Sequence, residues 1–167
     1  MADIIIIGAG PAGLTAAIYC LRAGLEVILF DKNIYGGQMA ISNKIENYPG
    51  FKSICGQELS VKLYEQVVEN GAKLIFDEVV EVNFKSEQKI VRTRDKIYKA
   101  KAVIIASGSK RKKLGCPGEE DFTGKGVSYC ATCDGALYKG KNVAIVGGGN
   151  TALQDAYFFL QSAIKLH

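Results

Sequence analysis

A chain of 167 residues has room for one domain, or for one and part of a second. Its 48% hydrophobic and 23% charged residues are ordinary for a globular protein, and its 19 glycines gather in a few loops, which excludes a low-complexity chain. The net charge of +4 does not by itself point to nucleic acid or membrane, and no run approaches the roughly 20 apolar residues of a bilayer span.

Residues 3–7, Asp followed by four Ile, are nearly all aliphatic, as suits a central parallel strand buried on both faces. The N-terminus lacks a basic segment and a small-residue cleavage site, so it reads as a strand and not as a signal peptide, and the expected compartment is the cytosol. The loop Gly8-Ala9-Gly10-Pro11-Ala12-Gly13 follows. A helix is expected over residues 12–23, with Ala16, Ala17, Cys20 and Leu21 available for its buried face and Gly24 as its stop. Residues 26–30 read as a second strand closed by Asp31, which completes a βαβ unit in about thirty residues.

That context makes the glycine loop specific for a dinucleotide. Gly8 permits the tight turn, Gly10 lets the backbone approach a pyrophosphate, and Gly13 lets the helix pack closely on the strand. The helix N-terminus offers free N–H groups and partial positive charge to phosphates. Asp31, eighteen residues after Gly13, is placed to accept hydrogen bonds from ribose hydroxyls. The rival reading is a glycine turn without a ligand.

Residues 33–57 read as loop, and residues 58–70 as a helix ended by Gly71. Residues 79–82, 89–93 and 97–99 read as short strands of a meander. Residues 102–106 form another aliphatic strand, ending in Ser107-Gly108-Ser109. Residues 110–125 form a linker, and its basic run at 110–113 reads as a solvated loop.

Of five cysteines, only Cys130 and Cys133 are closely spaced, so a disulfide scaffold is not expected. The pair is open to two main readings. Zinc would need two further ligands, and His167 is the only histidine, with Cys116 as another candidate. A redox dithiol needs only one thiolate to attack and the other to resolve. Inert buried cysteines are a third reading. Asp134 stands next to the pair, where a carboxyl could give or take the proton that thiol exchange requires, although by position alone it reads as a turn residue. Gln38 and Asn47 likewise read as loop polar groups.

The pattern then restarts. Residues 143–146 read as a strand, Gly147-Gly148-Gly149-Asn150-Thr151-Ala152 as a second nucleotide loop with Ala for the third Gly, and residues 152–160 as a helix. Two such loops suggest two redox cofactors, one held firmly and one exchanged. A lone strand and helix cannot bury a core, so this second domain is expected to be incomplete.

Together with Gly36-Gly37-Gln38, Asn47-Tyr48-Pro49-Gly50-Phe51, Pro117-Gly118-Glu119 and the run from Gly126 to Gly135, these motifs resemble, in order and spacing, the low-molecular-weight bacterial-type thioredoxin reductases. The resemblance implies an α/β fold: a three-layer ββα, Rossmann-like FAD-binding domain over residues 1–112, and the truncated start of a Rossmann-like NADPH-binding domain over residues 113–167 that carries the cysteine pair. It implies that the FAD pyrophosphate lies on the Gly8, Gly10, Pro11, Ala12 loop and the ribose near Asp31. Gly37, Gln38 and Asn47 would contact the ribityl and flavin region, while Val79 and the Ser107-Gly108 turn would border the adenosine. NADPH would bind at Gly147, Gly149, Asn150 and Thr151. Cys133 would face the flavin, Cys130 would attack the partner's disulfide, and Asp134 would be the acid/base.

The implied activity is that of a flavoprotein thioredoxin-disulfide reductase. Electrons would pass from NADPH to FAD, to the Cys130–Cys133 disulfide and on to thioredoxin, with a domain rotation hinged near residues 116–126, commonly in a homodimer. Family members continue beyond the region that matches here, so the 167 residues are expected not to complete turnover alone. Two alternatives stand beside this reading. One is the reductase of an alkyl hydroperoxide peroxidase system, which carries an additional N-terminal domain. The other is a non-catalytic FAD-binding fragment.

Overall fold

The aliphatic run at the N-terminus forms β1 (Ala2–Ile7) of a computed structural model that describes residues 1–161 and the backbone of 165 and 166. His167, weighed above as a metal ligand, and residues 162–164 of the terminal segment lie outside the described residues. The chain divides into two compact units, Met1–Lys110 and Arg111–His167.

In the first unit, β1 is followed by α1 (Pro11–Arg22), β2 (Val27–Asp31), a 3-10 helix (Gly37–Ile41), α2 (Gly56–Glu69), β3 (Lys73–Phe76), β4 (Glu81–Asn83), β5 (Lys89–Arg92) and β6 (Ile97–Ile105). The sheet order is β3-β2-β1-β6-β5-β4. The pairs β3–β2, β2–β1 and β1–β6 are parallel, whereas β6–β5 and β5–β4 are antiparallel. β1 therefore has a strand on each side, which is why its side chains are aliphatic on both faces.

One face of the parallel sheet presents Ile6, Val27 and Leu29 to Leu14 and Ala17 of α1 and to Leu59, Leu63 and Val67 of α2. The other presents Ile5 and Phe30 to Val91 and Tyr98 of the meander, with the Phe30 and Tyr98 rings edge-on at 4.8 Å between centroids. Helices, parallel sheet and meander thus make the three layers of a Rossmann-like α/β fold. Ile5, Ile6, Leu29 and Phe30 have no exposed surface, and each such burial stabilises the fold by about 1.5–3 kcal/mol.

Several elements differ from the sequence expectation. β3 was not anticipated: it is four residues long, starts two residues after the Gly71 turn, and carries a lysine at its head. The strands expected at 97–99 and 102–106 are one continuous strand. Ala100, fully buried, pairs with Lys89 of β5 and with Ala2 of β1, so β6 leaves the meander and enters the parallel sheet at that residue. The exposed Lys99 and Lys101 on either side break the aliphatic pattern that would have revealed it. The meander's first strand starts at Glu81 rather than Val79. The expected loop at 33–57 contains the 3-10 helix and an antiparallel bridge between Ile45 and Ile54.

The second unit holds a single helical turn, α3 (Ala131–Asp134), a 3-10 turn (Gly135–Tyr138), β7 (Asn142–Val143), α4 (Asn150–Gln161) and β8 (Lys165–Leu166). The strand expected at 143–146 is only two residues long, and among the described residues it pairs with β8 alone. With a neighbour on one side only among those residues, its last residues have no ladder to join. The unit's apolar cluster is correspondingly small: Ala131 and Phe159 are buried, with Tyr138, Val143, Ile145 and Phe158 packed beside them.

Candidate functional site

The first unit places its glycine loop at the C-terminal ends of the parallel strands. Sheet order reverses between β1 and β6, and the loops leaving those two strands part there, which is where open α/β sheets hold ligands. A cleft of about 710 Å³ opens at that point. Gly8, Gly10, Pro11, Ala12, Asp31, Gly37, Gln38, Val79, Ser107 and Gly108 all line it. Of the residues expected in this unit's site, two do not. Gly13 lies beneath the loop, and Asn47 is exposed in the stretch before α2.

The loop's glycines are required by contact. A Cβ on Gly8, whose φ is +108°, would stand 2.2 Å from the carbonyl oxygen of Ala106, and one on Gly13 would stand 1.8 Å from that of Gly8. Helix α1, strand β1 and the end of β6 therefore meet backbone to backbone. Gly10 has the opposite surroundings: a Cβ there would meet nothing within 4 Å, so its bare backbone forms part of the cleft wall.

Gly10 is also the N-cap of α1, without a side-chain cap, and Pro11 opens the helix. No side chain of the helix N-terminus competes for its first-turn N–H groups, so they remain for an anion. This surface fits a pyrophosphate.

Asp31 ends β2 with both carboxylate oxygens engaged. Oδ2 accepts the Ala9 N–H at 2.8 Å and Oδ1 accepts the Asn33 N–H at 2.9 Å. The acid expected to read a ribose thus also clamps the glycine loop. Each carboxylate oxygen has two acceptor positions, so the clamp leaves capacity for hydroxyls.

Two acidic residues of the cleft were missed. Asp77 and Glu78 follow β3, and Glu78 accepts from Lys32 at 3.4 Å and from Arg94 at 3.1 Å. They were invisible because β3 itself was. Had it been recognised, its C-terminal end would have been an expected site position. Gly36, beside the expected Gly37, donates its N–H to the Ala9 carbonyl at 2.8 Å and so ties the 3-10 helix to the loop.

In the second unit Cys130 and Cys133 are joined as a disulfide. Cys130 is the half-buried N-cap of α3 and Cys133 is exposed. The Cys130 Sγ accepts the Cys133 N–H at 3.2 Å and lies 3.4 Å from the Thr132 hydroxyl. In the reduced state such an N–H stabilises a thiolate. Among the described residues no group of three or more His, Cys, Asp or Glu could hold a metal ion.

Around the pair lies a polar network of which the sequence revealed only Asp134. The Ser128 hydroxyl donates to Asp134 Oδ2 at 2.5 Å and accepts the Cys130 N–H at 3.2 Å. Glu119 is buried, and its carboxylate accepts from the Tyr129 hydroxyl at 2.5 Å, the Leu114 N–H at 2.8 Å and the Gly115 N–H at 2.6 Å. The Tyr129 bond, then those backbone donors, hold Glu119 below the usual carboxylate range, and the same bond raises the Tyr129 phenol. Burial, then the charge of Asp134, raises the phenol of Tyr138.

The second glycine loop is open. Gly147, Gly149, Asn150 and Thr151 are all exposed, and Cβ atoms on Gly148 and Gly149 would meet nothing within 4 Å. Asn150 and Thr151 begin α4, so the expected nicotinamide-site residues do stand at a helix N-terminus.

No helix among the described residues is long and apolar enough to cross a membrane. The sequence pattern of the pyridine nucleotide-disulphide oxidoreductases matches residues 2–167. The thioredoxin reductase of Bacillus subtilis (strain 168) is 49% identical over 164 residues, covering 98% of this chain and 52% of that protein. That of Listeria innocua is 45% identical, covering 98% and 51%. Among solved structures, the thioredoxin reductase of Streptococcus pyogenes MGAS5005 superposes with a TM-score of 0.91 at 45% identity, covering 96% of this chain and 53% of that one. The thioredoxin reductase from Giardia duodenalis gives 0.93 at 36% identity, covering 99% and 54%. The chain spans about half the length of the curated relatives it matches.

Proposed function

The chain belongs to the pyridine nucleotide-disulphide oxidoreductases, and from that membership we propose that it is the FAD-binding and disulfide-bearing part of an NADPH-dependent thioredoxin reductase. The observation that carries this reading is the pairing, in one chain, of a nucleotide cleft built on Gly8, Gly10 and Gly13 with a Cys130–Cys133 disulfide. FAD, when bound, supplies two-electron redox chemistry between a nicotinamide and a disulfide.

The chain's own residues divide that work. The backbone of Gly8, Gly10, Pro11 and Ala12, at the N-terminus of α1, holds the pyrophosphate, with Gly13 keeping the helix close beneath it. Asp31 accepts from the ribose while it holds the loop through the Ala9 N–H. Gly37 and Gln38, which line the cleft, serve the ribityl and flavin end, and Val79, Ser107 and Gly108 the adenosine end. In the NADPH-binding domain, assigned to residues 113–167 within the second unit, Gly147, Gly149, Asn150 and Thr151 hold NADPH.

Cys133, an exposed residue of the second unit, would be the thiol that faces the flavin when FAD is bound. Cys130, whose sulfur accepts the Cys133 N–H, is the thiolate that attacks the disulfide of thioredoxin. Asp134 gives and takes the protons of these steps. The protein acts in the cytoplasm, as a homodimer.

FAD titration into the purified chain tests the cleft. Binding should quench flavin fluorescence, and Asp31→Ala should weaken it about tenfold or more, since a charge-assisted hydrogen bond and the loop clamp are lost together. Unchanged affinity in Asp31→Ala would remove the cleft from the reading.

A further inference from the structure

We propose that Ser128 is a positioning residue for the dithiol: its hydroxyl holds the Asp134 carboxylate at the cysteine pair, so that Asp134 can exchange protons with the sulfurs. The inference rests on the reading of Cys130 and Cys133 as a redox dithiol, and it adds a residue that neither the motifs nor the relatives' names assign.

The hydroxyl of serine has one proton to give. At Ser128 two acceptors compete for it, Asp134 Oδ2 at 2.5 Å and the Cys130 carbonyl at 3.4 Å. The shorter contact, to a carboxylate, takes the proton. The same oxygen accepts the Cys130 N–H at 3.2 Å, which fixes the direction of the O–H. A continuous relay therefore runs from the backbone of the first cysteine through Ser128 to the carboxylate that follows the second.

The Asp134 N–H closes the ring by donating to the Cys130 carbonyl at 3.1 Å. The four-residue turn α3 is thus pinned at both ends to one half-buried serine. Oδ1 of Asp134 takes part in no hydrogen bond among the described residues, so it keeps its full capacity to accept a proton.

The balance of the reaction shows where this matters. When the reduced pair meets a disulfide, the Cys130 thiolate bonds to one of its sulfurs and the other leaves as a thiolate, which takes up a proton. The Cys133 thiol then loses its proton to Asp134 and attacks the Cys130 sulfur. The Cys130–Cys133 bond forms and the second thiolate leaves, protonated in turn. Two electrons pass from the pair to the disulfide that has been split. Only the second step needs a base at Cys133, and an aspartate free to rotate away would serve it poorly, because general acid–base catalysis depends on hydrogen-bond reach.

The test uses the protein expressed from its complete reading frame, reduced and then mixed with glutathione disulfide at neutral pH. Formation of the 130–133 disulfide, and of its mixed-disulfide precursor, is followed by mass spectrometry after acid quenching and alkylation. Ser128→Ala should slow conversion of the mixed disulfide to the internal one by about tenfold, with its formation unchanged. Asp134→Asn should slow the same step at least as much. The double variant should be no slower than Asp134→Asn alone, and Ser128→Thr, which keeps the hydroxyl, should restore the rate.

Closure at the normal rate in Ser128→Ala, additive losses in the double variant, or no rescue by threonine would each overturn the proposal while leaving the dithiol reading intact. A parent protein whose pair does not exchange at all would overturn both.

Discussion

The two glycine loops begin with nearly the same letters and end in different structures. Around the first, β1 is flanked by β2 and β6, and Cβ atoms on Gly8 and Gly13 would strike backbone oxygens at 2.2 and 1.8 Å. Around the second, β7 has two residues and, among the described residues, one partner, and Gly148 and Gly149 face open space. The same strand–loop–helix sentence is closed in one unit and open in the other. A glycine motif specifies a turn; the strands beside it decide whether the turn becomes a rigid cradle.

The sharpest way to break this comparison is to add one methyl group to each loop. Gly13→Ala should cost the first unit about 3 kcal/mol or more, because backbone must move to admit the Cβ, and FAD binding should be lost with it. Gly149→Ala should change stability by less than about 1 kcal/mol, since nothing stands in the way. Thermal unfolding and flavin fluorescence check both. Similar losses in the two variants would mean that the second loop is packed as tightly as the first.

A smaller effect sharpens the contrast from the other side. The first unit is held by an aliphatic core on both faces of its sheet, whereas the second has a small apolar cluster and a buried carboxylate network at Glu119. Because Glu119 is held below the usual carboxylate range, its contribution is fully present above that range and is lost as pH falls through the depressed value. The second unit should therefore loosen first in acid, and Glu119→Gln should remove that step while lowering its melting temperature at neutral pH by about 5 °C. Hydrogen exchange of the Leu114 and Gly115 amides, followed as pH is lowered, reads it directly. Loss of protection at the same pH in Glu119→Gln and the parent would assign the transition elsewhere.

Much of the first unit was legible because each signal had a local cause. The run of isoleucines, the glycine loop and Asp31 lie within one βαβ unit, and their roles follow from strand, turn and helix geometry. β3 escaped because four residues carry too little periodicity, and Asp77 and Glu78 escaped with it. β6 was split because a strand that changes partners at Ala100 changes its exposure pattern there too. At the cysteine pair the spacing pointed to the chemistry, but Ser128 and Glu119 look like loop residues. Their importance comes from hydrogen bonds to Asp134, Tyr129 and the linker amides, and no local pattern encodes those.

The most direct test of the whole account is anaerobic reduction of the flavin by a dithiol, in the protein expressed from its complete reading frame and loaded with FAD. Electrons entering at Cys130–Cys133 should bleach the flavin's visible absorbance, and Cys133→Ser should abolish the bleaching while leaving FAD bound. Bleaching at the parent's rate in Cys133→Ser would show that the pair does not serve the flavin.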